Sequence, residues 1–98
     1  MILVYCPCKD KREAKSIAKE LIAKRLVACA NIFRSDSLYV WKNKLHDDKE
    51  AVMLLKAKDS DKEKIIKEIR RLHSYDLPAI ITFKAGANKE FEDWIKNG

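Results

Sequence analysis

Residues 50–58, EAVMLLKAK, carry apolar side chains at both alternating positions, with Ala51, Met53 and Leu55 on one side and Val52 and Leu54 on the other. Successive strand side chains point to opposite faces, so such a strand belongs in a sheet covered on both faces. Upstream, ILVYC (2–6) reads as a short buried strand. Asp10 and Glu13 form a capping-box arrangement that opens a helix whose apolar stripe is Ala14, Ile17, Ala18, Leu21 and Ile22. VACANIF (27–33) and SLYVWKNKL (37–45) follow, the latter a long second strand running into a hairpin at Asn43, a residue that tolerates left-handed backbone. Downstream, Ser60 and Glu63 predict a second capped helix carrying Ile65, Ile66, Ile69 and Leu72 on its inner face. Pro78 forbids its continuation, AIITFKA (79–85) is a fourth strand, and Asn88 caps a last short helix with Phe91, Trp94 and Ile95.

This order, β-α-β-β-α-β with a terminal helix, is the split pattern of an α+β ferredoxin-like sandwich, one domain over residues 1–98. Two helices cover only one face of its sheet, and another copy of the chain is the simplest cover for the other. Tyr39 and Trp41 share a face of the second strand, and an edge strand bearing aromatics calls for a partner. Asn31, an amide in mid-strand, must find hydrogen-bond partners if buried, and a subunit contact would supply them. Cys29 reads as a packing residue.

A chain of 98 residues that is 47% hydrophobic is one ordered domain near the size at which a single core is barely sufficient. It contains no run of 18 apolar residues, so no membrane-spanning helix is expected, and MILVYCPCKD lacks the layout of a secretory signal. Three cysteines are an odd number, too sparse for a disulfide framework, which points to a reducing cytoplasm. Charged residues reach 37% and glutamine is absent, a composition that fits heat adaptation. The net charge of +6 invites a nucleic-acid reading, but the basic residues are scattered among acidic neighbours: Glu20 with Lys24, Glu63 with Lys67, Lys64 with Glu68. Lys11, Lys15 and Lys19 alone form a like-charged stripe, read as a solvated face. Glycine occurs only at 86 and 98, leaving no phosphate-cradling loop, and no nucleophile–base motif is present. An enzyme is not expected.

The chemistry lies in Cys6, Cys8 and His73. On a strand the two thiols of C-x-C share a face and can meet one soft ion such as Cu(I), or they pack as small hydrophobes. Pro7 predicts that the strand is ending there, which would expose at least one thiol. His73 falls at the end of the second helix, where a cation is favoured by the helix dipole.

RLVACANIF (25–33), YVWKNKL (39–45), DDKEAVMLLKAK (47–58) and LHSYDLPAI (72–80), in this order and spacing, closely resemble the CutA family of divalent-cation-tolerance proteins over nearly the whole chain. The resemblance implies a ferredoxin-like homotrimer similar to the PII signalling proteins, with three sheets around a central axis. It implies copper binding, as Cu+ or Cu2+ and as no obligatory cofactor, at Cys6 and His73, and it gives Cys8 no such role. It also implies an inter-subunit cleft lined by Tyr75, Asp76, Glu50 and Lys56; by its own chemistry Asp76 is expected to act as an acceptor that orients the imidazole. The chain departs from the family at Asn43, usually glycine, at Ala57, often threonine, and at Ser74 and Asp76, where proline and glutamate are usual. The expected function is therefore metal tolerance by a trimeric copper- or heavy-metal-binding protein of the cytoplasm. Second comes a PII-like trimer that senses a small anion or metabolite through Lys56 and Arg71. Third is an RNA-binding module, disfavoured because such modules stack bases on aromatics of their central strands, and residues 50–58 contain none.

Overall fold

Alternation sets the first element. Strand β1 (Ile2–Cys8) buries Ile2, Val4, Cys6 and Cys8 and leaves Leu3, Tyr5 and Pro7 half-buried on its other face. The computed structural model describes residues 1–97, and the remaining elements are α1 (Lys11–Ala23), β2 (Cys29–Trp41), β3 (Lys44–Ala57), α2 (Lys62–Leu72), β4 (Ile81–Lys84) and α3 (Lys89–Asn97). The sheet order is β2-β3-β1-β4 with every neighbouring pair antiparallel, the ferredoxin-like arrangement expected. The core lies between α1, α2 and one sheet face, where Leu21, Met53, Leu55, Ile65 and Ile69 are fully buried.

Asp10 caps α1 by accepting the Glu13 N–H at 2.8 Å, and Glu13 reaches back to the Lys9 N–H at 3.0 Å. The second Glu13 oxygen accepts the Ser74 N–H at 2.9 Å, tying the start of α1 to the segment after α2. Burial raises the Glu13 pKa, but hydrogen bonds from Ser74 and Lys9 prevail and hold the carboxyl below the ordinary range. A depressed folded pKa means stabilisation that is present above the unfolded value, near 4.3 for glutamate, and lost as pH falls through the folded one. Glu13→Gln is accordingly expected to cost about 1 kcal/mol at pH 7 and much less at about pH 3. Paired urea melts at the two pH values check this, and an equal loss at both would count against it.

The other end of α1 closes with Arg25 in the left-handed region at φ 58°. The Arg25 N–H donates to the Ile22 carbonyl and the Leu26 N–H to the Leu21 carbonyl, both at 3.0 Å, a Schellman closure with arginine in place of the usual glycine. At the hairpin Lys42 and Asn43 both have positive φ, 51° and 64°, and Trp41 pairs with Lys44. This is the two-residue turn that matches strand twist.

Several expectations shift. The two segments VACANIF and SLYVWKNKL merge into one strand starting at Cys29, with Arg34–Asp36 inside it. No Ser60 cap forms; a short 3-10 turn over Asp59–Asp61 precedes α2, and the capping position is Asp61 without a side-chain bond. Helix α2 ends because His73 takes extended backbone (φ −75°, ψ 141°), five residues ahead of Pro78, which sits in the loop before β4. The Asn88 carbonyl accepts the Glu92 N–H, while its side chain donates to Glu90 rather than capping an N–H. The Glu20–Lys24 pair forms, but among the described residues Glu63–Lys67 and Lys64–Glu68 do not; Glu68 is shared by Lys24 and Arg71 and so bridges the two helices.

The sheet face away from α1 and α2 carries a register row of Asn31, Leu54, Tyr5 and Ile81 and a parallel row of Cys29, Lys56, Leu3 and Phe83. Phe33, Ile81 and Phe83 on this face are 44%, 51% and 46% exposed. Because β1 pairs only with Ala51–Ala57, the outer halves of β2 and β3 run on as a two-stranded ribbon, giving the chain extents of 45 × 24 × 21 Å. Leu38, Val40 and Leu45 are exposed on the ribbon, as are Tyr39 and Trp41.

Candidate metal centre

Both thiols of C-x-C lie on the helix-covered side of β1, and both are 0% exposed. The expectation that Pro7 ends the strand and exposes a thiol is therefore corrected. Pro7 stays in register with Val52, while β4 pairs with β1 only as far as Tyr5. Beyond Tyr5 that side of β1 has no strand beside it, so a residue without an N–H is tolerated there. The Pro7 carbonyl left open on the ladder meets His73 Nε2 at 2.9 Å.

That bond brings the imidazole to the thiols. The donor atoms of Cys6, Cys8 and His73 all lie within 4.8 Å of one another, and all three residues are buried. Two links of the sequence reading, C-x-C on one face and a fourth strand beside the first, account for the convergence. An ion bonded at about 2.0–2.3 Å to each donor spans no more than roughly 4.6 Å between donors, so the cluster fits a single ion after a contraction of tenths of an ångström. Thiolate and imidazole together favour a soft ion over magnesium or calcium.

In this geometry the site is held closed. The Tyr75 N–H donates to His73 Nδ1 at 3.1 Å, which makes Nδ1 the acceptor and Nε2–H the donor to Pro7. Both ring nitrogens are occupied, so ligation by His73 requires breaking one of these bonds. Asp76 does not orient the ring as expected; the Pro7 carbonyl does. The Cys8 thiol is pushed up in pKa by its contact with Cys6, by burial, and by the charges of Cys6, Glu13 and Glu50, so it keeps its proton until a cation replaces it.

Beside the centre runs a groove of about 530 Å³ lined by Pro7, Tyr39, Trp41, Glu50, Tyr75 and Asp76 among others. Tyr75 forms its wall, stacked at a tilt on His73 with ring centroids 4.7 Å apart, its hydroxyl donating to Glu50 at 2.6 Å. Burial and then this bond raise the Tyr75 pKa, keeping the phenol protonated. Three of the four expected cleft residues, Glu50, Tyr75 and Asp76, thus meet, and Tyr39 and Trp41, expected at a subunit interface, line the same groove. Asn31 and Lys56 do not: they bond to each other toward the far end of the sheet, where the ammonium lies 5.9 Å from the Phe91 ring centroid. Arg71 is taken by Glu68. The acidic lining and the diversion of Lys56 and Arg71 remove the expected anion-binding charges from this groove. Cys29 is half-buried and stands opposite Lys56 in the register instead of lying in the core.

Residues 2–98 match the family profile described as CutA1 divalent ion tolerance protein. The chain belongs to the CutA family. It is 36% identical over 97 residues to the divalent-cation tolerance protein CutA of Thermotoga maritima, covering 98% of this chain and 96% of that one. The crystal structure of CutA1 from Pyrococcus horikoshii superposes with a TM-score of 0.96 at 34% identity, covering 99% of this chain and 96% of that one. A PII-like CutA from Nostoc, at 24% identity and a TM-score of 0.92 over 99% of this chain and 95% of that one, shares the fold. CutA membership and the ferredoxin-like sandwich match the sequence reading. The register that sets Met53 beside Cys6 went unread there, and strand pairing is the signal that would have found it.

Proposed function

We propose that this CutA protein acts in divalent-cation tolerance as a homotrimer that binds copper or another soft metal ion at Cys6, Cys8 and His73. The observation that carries the reading is the buried convergence of two thiols and an imidazole within 4.8 Å. Cys8, which the family resemblance left out, is included because its sulfur faces the same pocket as Cys6. The protein is a binding protein and not an enzyme, and its metal is cargo or signal. A reducing compartment suits three free cysteines, and on that ground alone we place it in the cytoplasm. Trimerisation is supported by the apolar sheet face and by the ribbon, since a two-stranded ribbon with exposed leucine, valine and tryptophan is marginal in water without a partner.

Copper(I) titration of the reduced protein tests the site. Cys6→Ser and Cys8→Ser are each expected to weaken binding by more than about tenfold, and His73→Ala by about tenfold, with the oligomer preserved. Wild-type affinity in Cys6→Ser and His73→Ala would remove the assignment. A loss confined to Cys8→Ser would leave the Cys8 thiol as the binding group and remove Cys6 and His73 from the assignment. The sensing alternative keeps support from the groove, whose acidic lining suits a cationic or neutral metabolite better than an anion.

A further inference from the structure

Cys6 and Met53 are partners in the antiparallel register of β1 and β3. Both side chains are on the helix-covered face, and both are 0% exposed in the same core cluster. Directly opposed residues on one face of such a pair have Cβ atoms about 4.5–5.5 Å apart, so Met53 brings a further soft donor, its thioether, to the strand position beside Cys6 on the face that carries both thiols. The opposite neighbour of Cys8 in this register is Ala51, and that of Val4 is Leu55, neither of which offers a donor.

We propose that Met53 is a ligand of this centre and that its thioether makes the site selective for a soft monovalent ion, Cu(I) or Ag(I), over Zn(II). The proposal rests on the metal-binding reading above. Thioether sulfur is a weak, uncharged donor that suits Cu(I) and adds little for Zn(II), which takes thiolate, imidazole or carboxylate. Methionine also has the flexible side chain needed to reach an ion without moving the strand, in contrast to the leucine and valine that surround it. A second consequence concerns charge. A fourth neutral donor completes the coordination of a monovalent ion without adding a further anion to a pocket that already holds two thiols near Glu13 and Glu50.

The test is Met53→Leu, a volume-conserving change that a core tolerates well, combined with selenomethionine labelling. The only methionines are Met1 and Met53, so labelled wild type carries selenium at the site and labelled Met53→Leu carries it only at the N-terminus. X-ray absorption at the copper edge is expected to show a copper–selenium path in labelled wild type and none in labelled Met53→Leu. Cu(I) affinity should fall about tenfold in Met53→Leu while Zn(II) affinity stays unchanged. Absence of the selenium path, or an equal loss for both ions, overturns the role of Met53 even if Cys6→Ser abolishes binding. If wild type takes up no Cu(I) at all, the metal-binding reading falls and this inference with it.

Discussion

Leu54→Asp is expected to reduce the proposed trimer to a single chain, a mass of 11.4 kDa, while leaving the helix-covered core folded. Leu54 sits in the middle of the row Asn31, Leu54, Tyr5, Ile81 on the face that neither α1 nor α2 covers. If three such faces meet, a carboxylate there is buried without a partner, and an unpaired buried charge is among the most destabilising of changes, costing several kcal/mol. Light scattering across a dilution series reads the mass, and far-UV circular dichroism reports whether the monomer stays folded. A wild type that is itself monomeric, or a variant of unchanged mass, would sink the assembly.

The next residue gives a different loss. Leu55 faces the helices, is 0% exposed, and pairs with Val4 on one side and Ala30 on the other. Leu55→Ala is expected to cost about 3 kcal/mol, the transfer loss plus the cavity left in a close-packed interior, with the assembly intact wherever the chain is folded. Guanidinium unfolding at one fixed protein concentration measures it, because dilution alone shifts the midpoint of an assembled protein. A loss below about 1 kcal/mol would mean that the core around Leu55 collapses to fill the gap. Two adjacent residues thus separate assembly from folding, as alternation in β3 requires.

The same alternation is why so much of the fold was legible. EAVMLLKAK announces a two-faced strand, and Asp10 with Glu13 announces α1; each is a local pattern, readable without knowing what lies across the sheet. Boundaries governed by tertiary contacts were not legible. Pro7 looks like a strand terminator until it is known that β4 stops at Tyr5, and nothing in the sequence beside His73 tells that Pro7 and Tyr75 take up both its nitrogens. Cys6 and Cys8 could be placed on one face from spacing, but not which face. Lys56 and Arg71 seemed free charges because their partners, Asn31 and Glu68, depend on strand register and on the turn of α2. Met53 carries no motif and gains its meaning only from standing opposite Cys6.

The ribbon built from the outer halves of β2 and β3 has a history as well as a shape. Its two strands are consecutive in the chain and close through a two-residue turn at Lys42 and Asn43, so it can form early, as local contacts do. Its Leu38, Val40 and Leu45 side chains are largely exposed. On the proposed trimer, the ribbon stays open to wrong pairing and to proteases from the moment of synthesis until sister chains arrive. On that assembly, the supply of partner chains during synthesis joins the stability of each chain in setting how much of the protein survives to function.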